Sequence, residues 1–321
     1  MPDINQISNY EPWLQYMILS NVADHDDHKL HEMRADALAD ERIRSWLGDL
    51  LDFHSILIMN HKNPELPIHK LHFLLDMGLD TDVPEINAAI DQIKAHRDEN
   101  GVYQSRMNIP KHYGGTGSDM FAWCLCDAPL LLSALIKAGC DYESDVKQGV
   151  EHLVSLVRAN GFPCTVSPEL GKFHGPGSKA ELCPNATLQM LKLLTLIPEM
   201  HNSPAANYCV EGLLKLWEDS ETRHPFQFYM GTDFRKLKAP MIWYDILSVA
   251  SCLSYFEQAR QDSRFKEMLT IIERKQNENG MFVPEAVFLK YKGWEFGQKK
   301  NPSPYLTYLC TKLIERGKSE R

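Results

Sequence analysis

The amino-acid sequence predicts an all-α fold, an α/α toroid of about five to six helical hairpins around a central cavity. Three observations lead to it. An Asn-Gly pair recurs at multiples of about 60 residues, an amphipathic helix precedes each pair, and a more apolar helix precedes that one. We expect one domain over residues 1–321, with repeats over 61–321 and less regular closing helices over 1–60.

The repeat is marked by Gly101, Gly161 and Gly280, each directly after an asparagine. The first two glycines are 60 residues apart and the third follows after 119, which leaves room for a degenerate copy near Ser220. Because glycine adopts left-handed backbone conformations without strain, each glycine predicts the end of a helical hairpin.

Two kinds of helix alternate along the chain. Before Gly161, apolar residues at Val146, Val150, Leu153 and Val157 recur at offsets of three and four, which is typical of a helix with one buried face. The helices that precede these, such as APLLLSALIKAG and ATLQMLKLLTLIP, are apolar nearly all round. This difference predicts an inner layer of apolar helices and an outer layer of amphipathic ones, joined by short links.

Composition excludes several classes of protein. A formal charge of -9 argues against nucleic acid as the main partner, since phosphate binding needs a basic surface. No apolar run approaches the roughly 18 residues of a membrane span, and the first residues lack the pattern of a secretory signal. The eight scattered cysteines are typical of reduced, buried thiols, so we expect a cytoplasmic location.

Long loops follow the repeated glycines, over residues 102–123, 162–183, 221–240 and 281–302. Repeat geometry predicts that they lie at one end of the bundle, and loops of this length are uncommon unless they have a function. A polar residue recurs where the next inner helix begins, at Asp127, Asn185 and Asp245. Helix capping is the favoured interpretation for Asp127 and Asn185, and a ring of polar groups at a cavity mouth is the alternative.

Asp245 is interpreted differently, because Met241 to Tyr244 already predict helix after Pro240. A carboxylate on an apolar helix needs a partner or a ligand. We therefore take Asp245, with Asp127, as the candidate catalytic residues, and Asn185 as a candidate binding residue.

The last two loops are locally basic and rich in aromatic residues. Lys236, Lys238 and Lys292 are candidates to hold an anionic head group, such as a diphosphate. Trp243, Tyr244 and Trp294 are candidates to contact an apolar ligand. The alternative is that the lysines are solvated and that the aromatic rings attach the loops to the bundle.

The hairpin ends resemble a known pattern, Gln-x-x-x-Gly-x-aromatic, matched by Gln276, Gly280 and Phe282 and more loosely at Arg97 to Tyr103. This resembles the repeat of the prenyltransferase and squalene-cyclase superfamily, over roughly residues 60–320. The resemblance implies an α/α toroid whose cavity binds an isoprenoid or another apolar ligand. It leaves the reaction open.

Two family signatures are incomplete. Asp24-His25-Asp26-Asp27 fits the Asp-x-Asp-Asp string of terpene cyclases, but it lies in a polar N-terminal stretch and is interpreted as a solvated helix start. The resemblance to protein prenyltransferases implies zinc ligands at inner-helix starts, where Cys126, Asp127 and Cys183 lie, with His174 in the adjacent loop. No Asp-x-Cys occurs there and no histidine follows His224, so no metal is assigned and the cofactor stays unknown.

Two other functions remain open. One is a non-catalytic repeat scaffold that binds a peptide or protein at the loop rim. The other is a glycan-active toroid, which needs a facing pair of carboxylates from Asp119, Asp233, Asp245 and Glu295. The sequence does not decide whether the protein is an enzyme.

Overall fold

The computed structural model describes residues 8–21, 27–171, 182–222, 228 and 230–319. These residues are mostly helical, with thirteen α-helices and two three-residue strands. The elements are α1 (Pro12–Ser20), α2 (Asp27–Ala39), α3 (Glu41–Leu50), α4 (Pro67–Asp76), α5 (Pro84–Lys94), β1 (Ser105–Met107), β2 (Met120–Ala122), α6 (Ala128–Lys137), α7 (Lys147–Ser155), α8 (Pro184–Leu194), α9 (Pro204–Glu218), α10 (Ile246–Leu253), α11 (Glu257–Gln261), α12 (Ser263–Glu273) and α13 (Pro304–Lys318).

The predicted alternation of apolar and amphipathic helices is confirmed. All residues of α8 are buried except Lys192, and all residues of α10 except Ser251. By contrast, α5 buries only the four residues Ile86, Ala89, Ile90 and Ile93. A helix that is buried on every side must lie inside the bundle, and one with a polar face must border water.

The inner helices, by which we mean α4, α6, α8, α10 and α13, contact one another in chain order. Phe73 of α4 also meets Tyr305 of α13, with ring centroids 5.5 Å apart. The amphipathic helices α5, α7, α9 and α12 pack against this set. The inner helices therefore form the core that supports the connecting loops.

The repeat also recurs in the hydrogen bonds. The Phe162 N–H donates to the Thr187 hydroxyl at 3.0 Å, and the Phe282 N–H donates to the Thr307 hydroxyl at 3.0 Å. In each pair, a phenylalanine one or two positions after the repeated glycine is hydrogen-bonded to a threonine in the first turn of the next inner helix. The glycines have the expected left-handed conformation, with φ of 80°, 121° and 75° at Gly101, Gly161 and Gly280.

Two local features differ from the prediction. Loop 102–123 contains an antiparallel hairpin in which Ser105 of β1 pairs with Ala122 of β2. Helix α10 begins at Ile246 rather than soon after Pro240, because Asp245 has an extended backbone, with φ of -147° and ψ of 171°. In the N-terminal region, for which only less regular helices were expected, Asp40 caps α3, because its carboxylate accepts the Arg42 N–H at 2.8 Å.

Among the residues that the structure describes, no helix is both long enough and apolar enough to cross a bilayer.

Gly212 on α9 allows close contact with the preceding repeat. A Cβ at this position would lie 2.2 Å from the Asn160 carbonyl oxygen. We expect Gly212→Ala to lower the free energy of unfolding by about 1–3 kcal/mol, since the backbone must shift. Gly48 in α3 is the matched control, because its Cβ would meet nothing within 4 Å. Gly48→Ala should raise stability by about 0.5–1 kcal/mol. Urea unfolding of both variants checks this, and an equal gain in both would contradict the packing of α9 on the turn.

Candidate functional site

Three potential metal ligands converge at the N-terminal ends of the inner helices. His61 precedes α4, and Cys124 and Cys126 precede α6. One ring nitrogen of His61 and the two cysteine sulfurs all lie within 4.8 Å of one another. With Asp127, we call these residues the thiol cluster.

The backbone around Cys124 positions the thiol cluster. The Cys124 carbonyl accepts the N–H groups of Asp127 and Ala128 at 3.0 and 2.9 Å, which forms the turn that starts α6. The Leu125 N–H donates to the Thr165 carbonyl at 3.1 Å, and Cys124 forms an isolated bridge with Val166. The segment is therefore held on two sides, so both thiols start from a fixed backbone.

Asp127 contacts two of the three potential ligands. Its Oδ2 accepts a hydrogen bond from the Cys124 thiol at 3.0 Å and lies 2.8 Å from Nδ1 of His61. The second contact has the distance of an ion pair, so Nδ1 of His61 has this carboxylate as its partner. By contrast, Oδ1 of Asp127 is buried and has no partner among the described residues. Buried polar atoms without partners are rare and are typical of sites that hold an ion or a ligand.

His61 and Asp127 each favour the charged form of the other. Burial opposes ionisation of both His61 and Asp127, but their mutual attraction outweighs it, which raises the pKa of His61 and lowers the pKa of Asp127. The hydrogen bond with Cys126 lowers the pKa of Cys124, but burial and the Asp127 carboxylate raise it to about 11 overall. The two thiols therefore stay protonated unless a cation binds them.

Two further cysteines extend the thiol cluster. The Cys126 thiol also interacts with Cys183, and Cys183 interacts with Cys164. All eight cysteines are free. Five of them lie outside helices, and four of these five come together: Cys124, Cys126, Cys164 and Cys183.

A cavity of about 390 Å³, the rim cavity, opens beside the cluster. Its polar wall includes His61 and all four of these cysteines. The remaining wall is largely apolar and includes Ile58, Met107, Ile109, Leu125, Val166, Leu182, Phe228 and Trp243. A second, central cavity of about 310 Å³ lies between the inner helices.

The structure reverses the expectation for the three polar residues at the inner-helix starts. Asp245 is the one that caps a helix, because its Oδ1 accepts the Ser248 N–H at 2.8 Å. Asp127 makes no capping bond and faces His61 instead. Asn185 lies inside α8, after the capping position, and accepts a 3.3 Å hydrogen bond from Gln189. The residue that was not expected to cap a helix therefore does so, and the two that were expected to cap make no capping bond.

Asp245 nevertheless keeps one feature of a functional carboxylate. Its Oδ2 is buried without a hydrogen-bond partner. Burial raises the pKa of Asp245 to about 6, against the opposing effects of the Ser248 N–H and of Lys238. It does not line either of the two cavities.

The predicted lysines do not form a common site. Lys236 forms an ion pair with Asp233 at 2.6 Å, and Lys292 is exposed. The Lys238 ammonium lies 4.0 Å from the centre of the Phe288 ring, and burial lowers its pKa. None of the three lines the rim cavity or the central cavity.

The three predicted aromatic residues separate. Trp243 lines the rim cavity and stacks on Phe228 at 5.9 Å. Tyr244 is buried behind Phe228, with ring centroids 5.5 Å apart. Trp294 is only 5% exposed and packs in an aromatic cluster with Trp13 and Trp46, so it belongs to the core rather than to a ligand-binding wall.

Other predicted groups have their own partners or lie elsewhere. Asp119 pairs with Arg106 and Asp233 with Lys236, and neither acid lines a cavity. Two predicted features lie outside the described residues: Asp24 to Asp26, and His174. Asp27 starts α2.

Glu295 supports α13 rather than a catalytic pair. Its Oε1 accepts the Tyr305 N–H at 2.9 Å, and its Oε2 is buried without a partner. Burial raises the pKa of Glu295 from 4.5 to about 7. Its contribution to stability is therefore complete below pH 4.5 and is lost as the pH rises through 7.

We expect Glu295→Gln to change the pH dependence of stability, because glutamine keeps an oxygen for Tyr305 and cannot ionise. The free energy of unfolding of the variant should rise relative to wild type by about 2–3 kcal/mol between pH 4 and pH 9. Urea titrations across this range measure the difference. A difference that does not change with pH would show that Glu295 is not buried as described.

Comparisons with known proteins do not identify the chain. No protein-family model and no curated protein matches it. A solved structure described as a protein from Actinoplanes aligns with 96% of this chain and 90% of its own length, at 10% identity and a TM-score of 0.42. This likeness is too weak to assign a fold family or a function.

Proposed function

We propose that His61, Cys124 and Cys126 bind a zinc ion, and that an apolar small molecule binds next to it in the rim cavity. One observation carries the proposal: the three side chains that converge within 4.8 Å also form part of the wall of the cavity. The buried Oδ1 of Asp127, which has no partner among the described residues, fits the same interpretation.

The donor set selects the ion. Thiolate and imidazole ligands favour zinc, with sulfur about 2.3 Å and nitrogen about 2.0 Å from the ion. Two sulfurs on a tetrahedral ion are then about 3.8 Å apart. Since the donor atoms here already lie within 4.8 Å of one another, small side-chain rotations suffice to bind the ion.

Three protein ligands leave a fourth position open. A zinc ion with an open position polarises or activates a bound group, whereas a fully ligated ion is structural. Cys183 is the residue that could close the site, because its thiol interacts with Cys126. The cavity beside the cluster favours the open arrangement, in which the fourth position faces the ligand.

The repeat supports both the fold and the ligand class that we propose. The order of contacts among the inner helices, with Phe73 against Tyr305, supports an α/α toroid. Together with the resemblance to the prenyltransferase and squalene-cyclase repeat, the apolar wall supports an isoprenoid chain as the ligand. A cavity of about 390 Å³ is typical of small-molecule sites and favours this function over a scaffold with a flat binding rim.

Metal stoichiometry tests the open site. Native mass spectrometry of the zinc-loaded protein should give one ion per chain in wild type and also in Cys183→Ser. Loss of zinc from Cys183→Ser would show that the site is closed and structural. Absence of zinc from the wild-type protein would remove the metal from the proposal.

Ligand binding is tested separately, with farnesol as the probe. Trp243→Ala should weaken binding by about tenfold or more, because the indole contributes a large part of the apolar wall. Leu289→Ala is the control, since Leu289 is 72% exposed and lies outside the cavity. If farnesol does not bind the wild-type protein, the isoprenoid class is wrong, even if zinc binds.

A further inference from the structure

The central cavity has a different chemistry from the rim cavity. Residues from all five inner helices line it, together with the loop at Pro240 to Ile242, and none of the residues of the thiol cluster does so. Four cationic side chains line it, with Asp76 as the single carboxylate: Lys137, Lys192, Lys312 and Arg316. In a protein with a net charge of -9, this concentration of positive charge needs an explanation.

Lys192 carries most of the argument. It is the only residue of α8 that is not fully buried, and it faces the cavity. Its ammonium donates only to the Met241 carbonyl at 3.3 Å and the Ser248 hydroxyl at 3.4 Å. Both acceptors are neutral and both bonds are long, so the charge has no counter-ion in contact in the part of the chain that the structure describes.

Lys312 and Arg316 are in the same situation. The Lys312 ammonium donates to Asn21 at 3.2 Å and lies 3.1 Å from the Tyr308 hydroxyl. Nε of Arg316 donates to the Ser254 hydroxyl at 2.7 Å, and its guanidinium lies 3.8 Å from the centre of the Tyr255 ring. Among the described residues, only Lys137 of the four cations forms an ion pair, with Asp76 at 2.5 Å.

Helix dipoles do not account for these three charges. A cation near a helix C-terminus gains much less free energy from the helix dipole than the burial of an unpaired charge costs. Moreover, Lys192, Lys312 and Arg316 donate to side chains and to the Met241 loop carbonyl, not to the last carbonyls of the inner helices. Their charges remain available to a ligand.

We propose that the central cavity binds a small phosphate-bearing anion through Lys192, Lys312 and Arg316. A dianionic phosphate matches three cations better than a single carboxylate does, and the guanidinium has donors left after its one bond to Ser254. Hydroxyl groups at Ser251 and Tyr255 also line the cavity and can bond to phosphate oxygens or to an attached polar body. This site is independent of the proposed metal centre.

Calorimetric titration with inorganic phosphate, at constant ionic strength, tests the site. Wild type should bind saturably, with one phosphate per chain, and Lys192→Met should weaken binding by about tenfold or more. Lys318→Met is the matched control, because it removes the same charge from an exposed lysine that pairs with Glu273. Its affinity for phosphate should equal that of wild type.

Further arms of the experiment separate the alternatives. Arg316→Gln should weaken binding like Lys192→Met, and it keeps the test valid if Lys192→Met does not fold. Cys126→Ser should bind phosphate normally, so failure of the metal proposal does not affect this one.

Vesicles that contain phosphatidic acid, compared with soluble glycerol phosphate, distinguish a lipid headgroup from a soluble phosphate ester. The proposal is overturned if phosphate does not saturate, if Lys318→Met weakens binding equally, or if citrate binds and phosphate does not.

Discussion

Cys126→Ser is expected to lower the affinity for zinc by at least about 100-fold, because it removes one of three protein ligands and leaves a hydroxyl that does not ionise readily. Cys124→Ser should have the same effect, since both sulfurs lie in the group that converges within 4.8 Å. Competition with a chromophoric chelator measures the affinity. Folding is checked on the same samples by circular dichroism.

Cys209→Ser is the control for these two variants. Cys209 is fully buried in α9, away from the thiol cluster, so its substitution disturbs the core by a similar chemical change. We expect its zinc affinity to equal that of wild type. If all three serine variants lose zinc equally, the loss reflects general damage to the fold, and the assignment of Cys124 and Cys126 as ligands would be wrong.

Asp127→Asn is expected to lower the affinity for zinc by about 10- to 100-fold, the usual effect of removing a partner that orients metal ligands. The Asp127 carboxylate lies against both His61 and the Cys124 thiol, so it positions two donors and supplies negative charge beside the ion. The amide keeps the size of the side chain and removes the charge.

Asp245→Asn provides the matched comparison. Asp245 is also a buried acid at the start of an inner helix, but its carboxylate caps α10 and does not line the rim cavity. The same substitution should leave zinc affinity unchanged. If Asp245→Asn weakens zinc binding as much as Asp127→Asn, the effect comes from the general charge of the rim and not from contact with the ligands.

The helical architecture could be predicted because it depends on local patterns. The offsets of three and four around Val150 and Leu153 identify a helix face, and the recurring glycines identify the hairpin ends. The predicted start of α10 was wrong. Met241 to Tyr244 have the apolar character of a helix, but the backbone at Asp245 is extended, so the helix begins only at Ile246. The short pairing of Ser105 with Ala122 depends on a contact between distant parts of one loop.

The thiol cluster could be predicted only in part. The sequence places Cys126, Asp127 and Cys183 at matching inner-helix starts, but the family pattern has its last histidine on a later inner helix, whereas the nearby imidazole comes from His61, before α4. The repeat did contain the signal, since His61, Cys126 and Cys183 each lie a few residues before an inner helix. Residues that share a position in the repeat meet at one end of the bundle, even when no sequence motif joins them.

X-ray absorption at the zinc edge of the zinc-loaded protein tests the central claim most directly. The account predicts one ion bound by two sulfur atoms at about 2.3 Å and by lighter atoms at about 2.0–2.1 Å, one of them an imidazole nitrogen. Both sulfur contributions should disappear in the double variant of Cys124 and Cys126. A first shell without sulfur, or one of four sulfurs with no imidazole, would contradict a centre built from His61, Cys124 and Cys126.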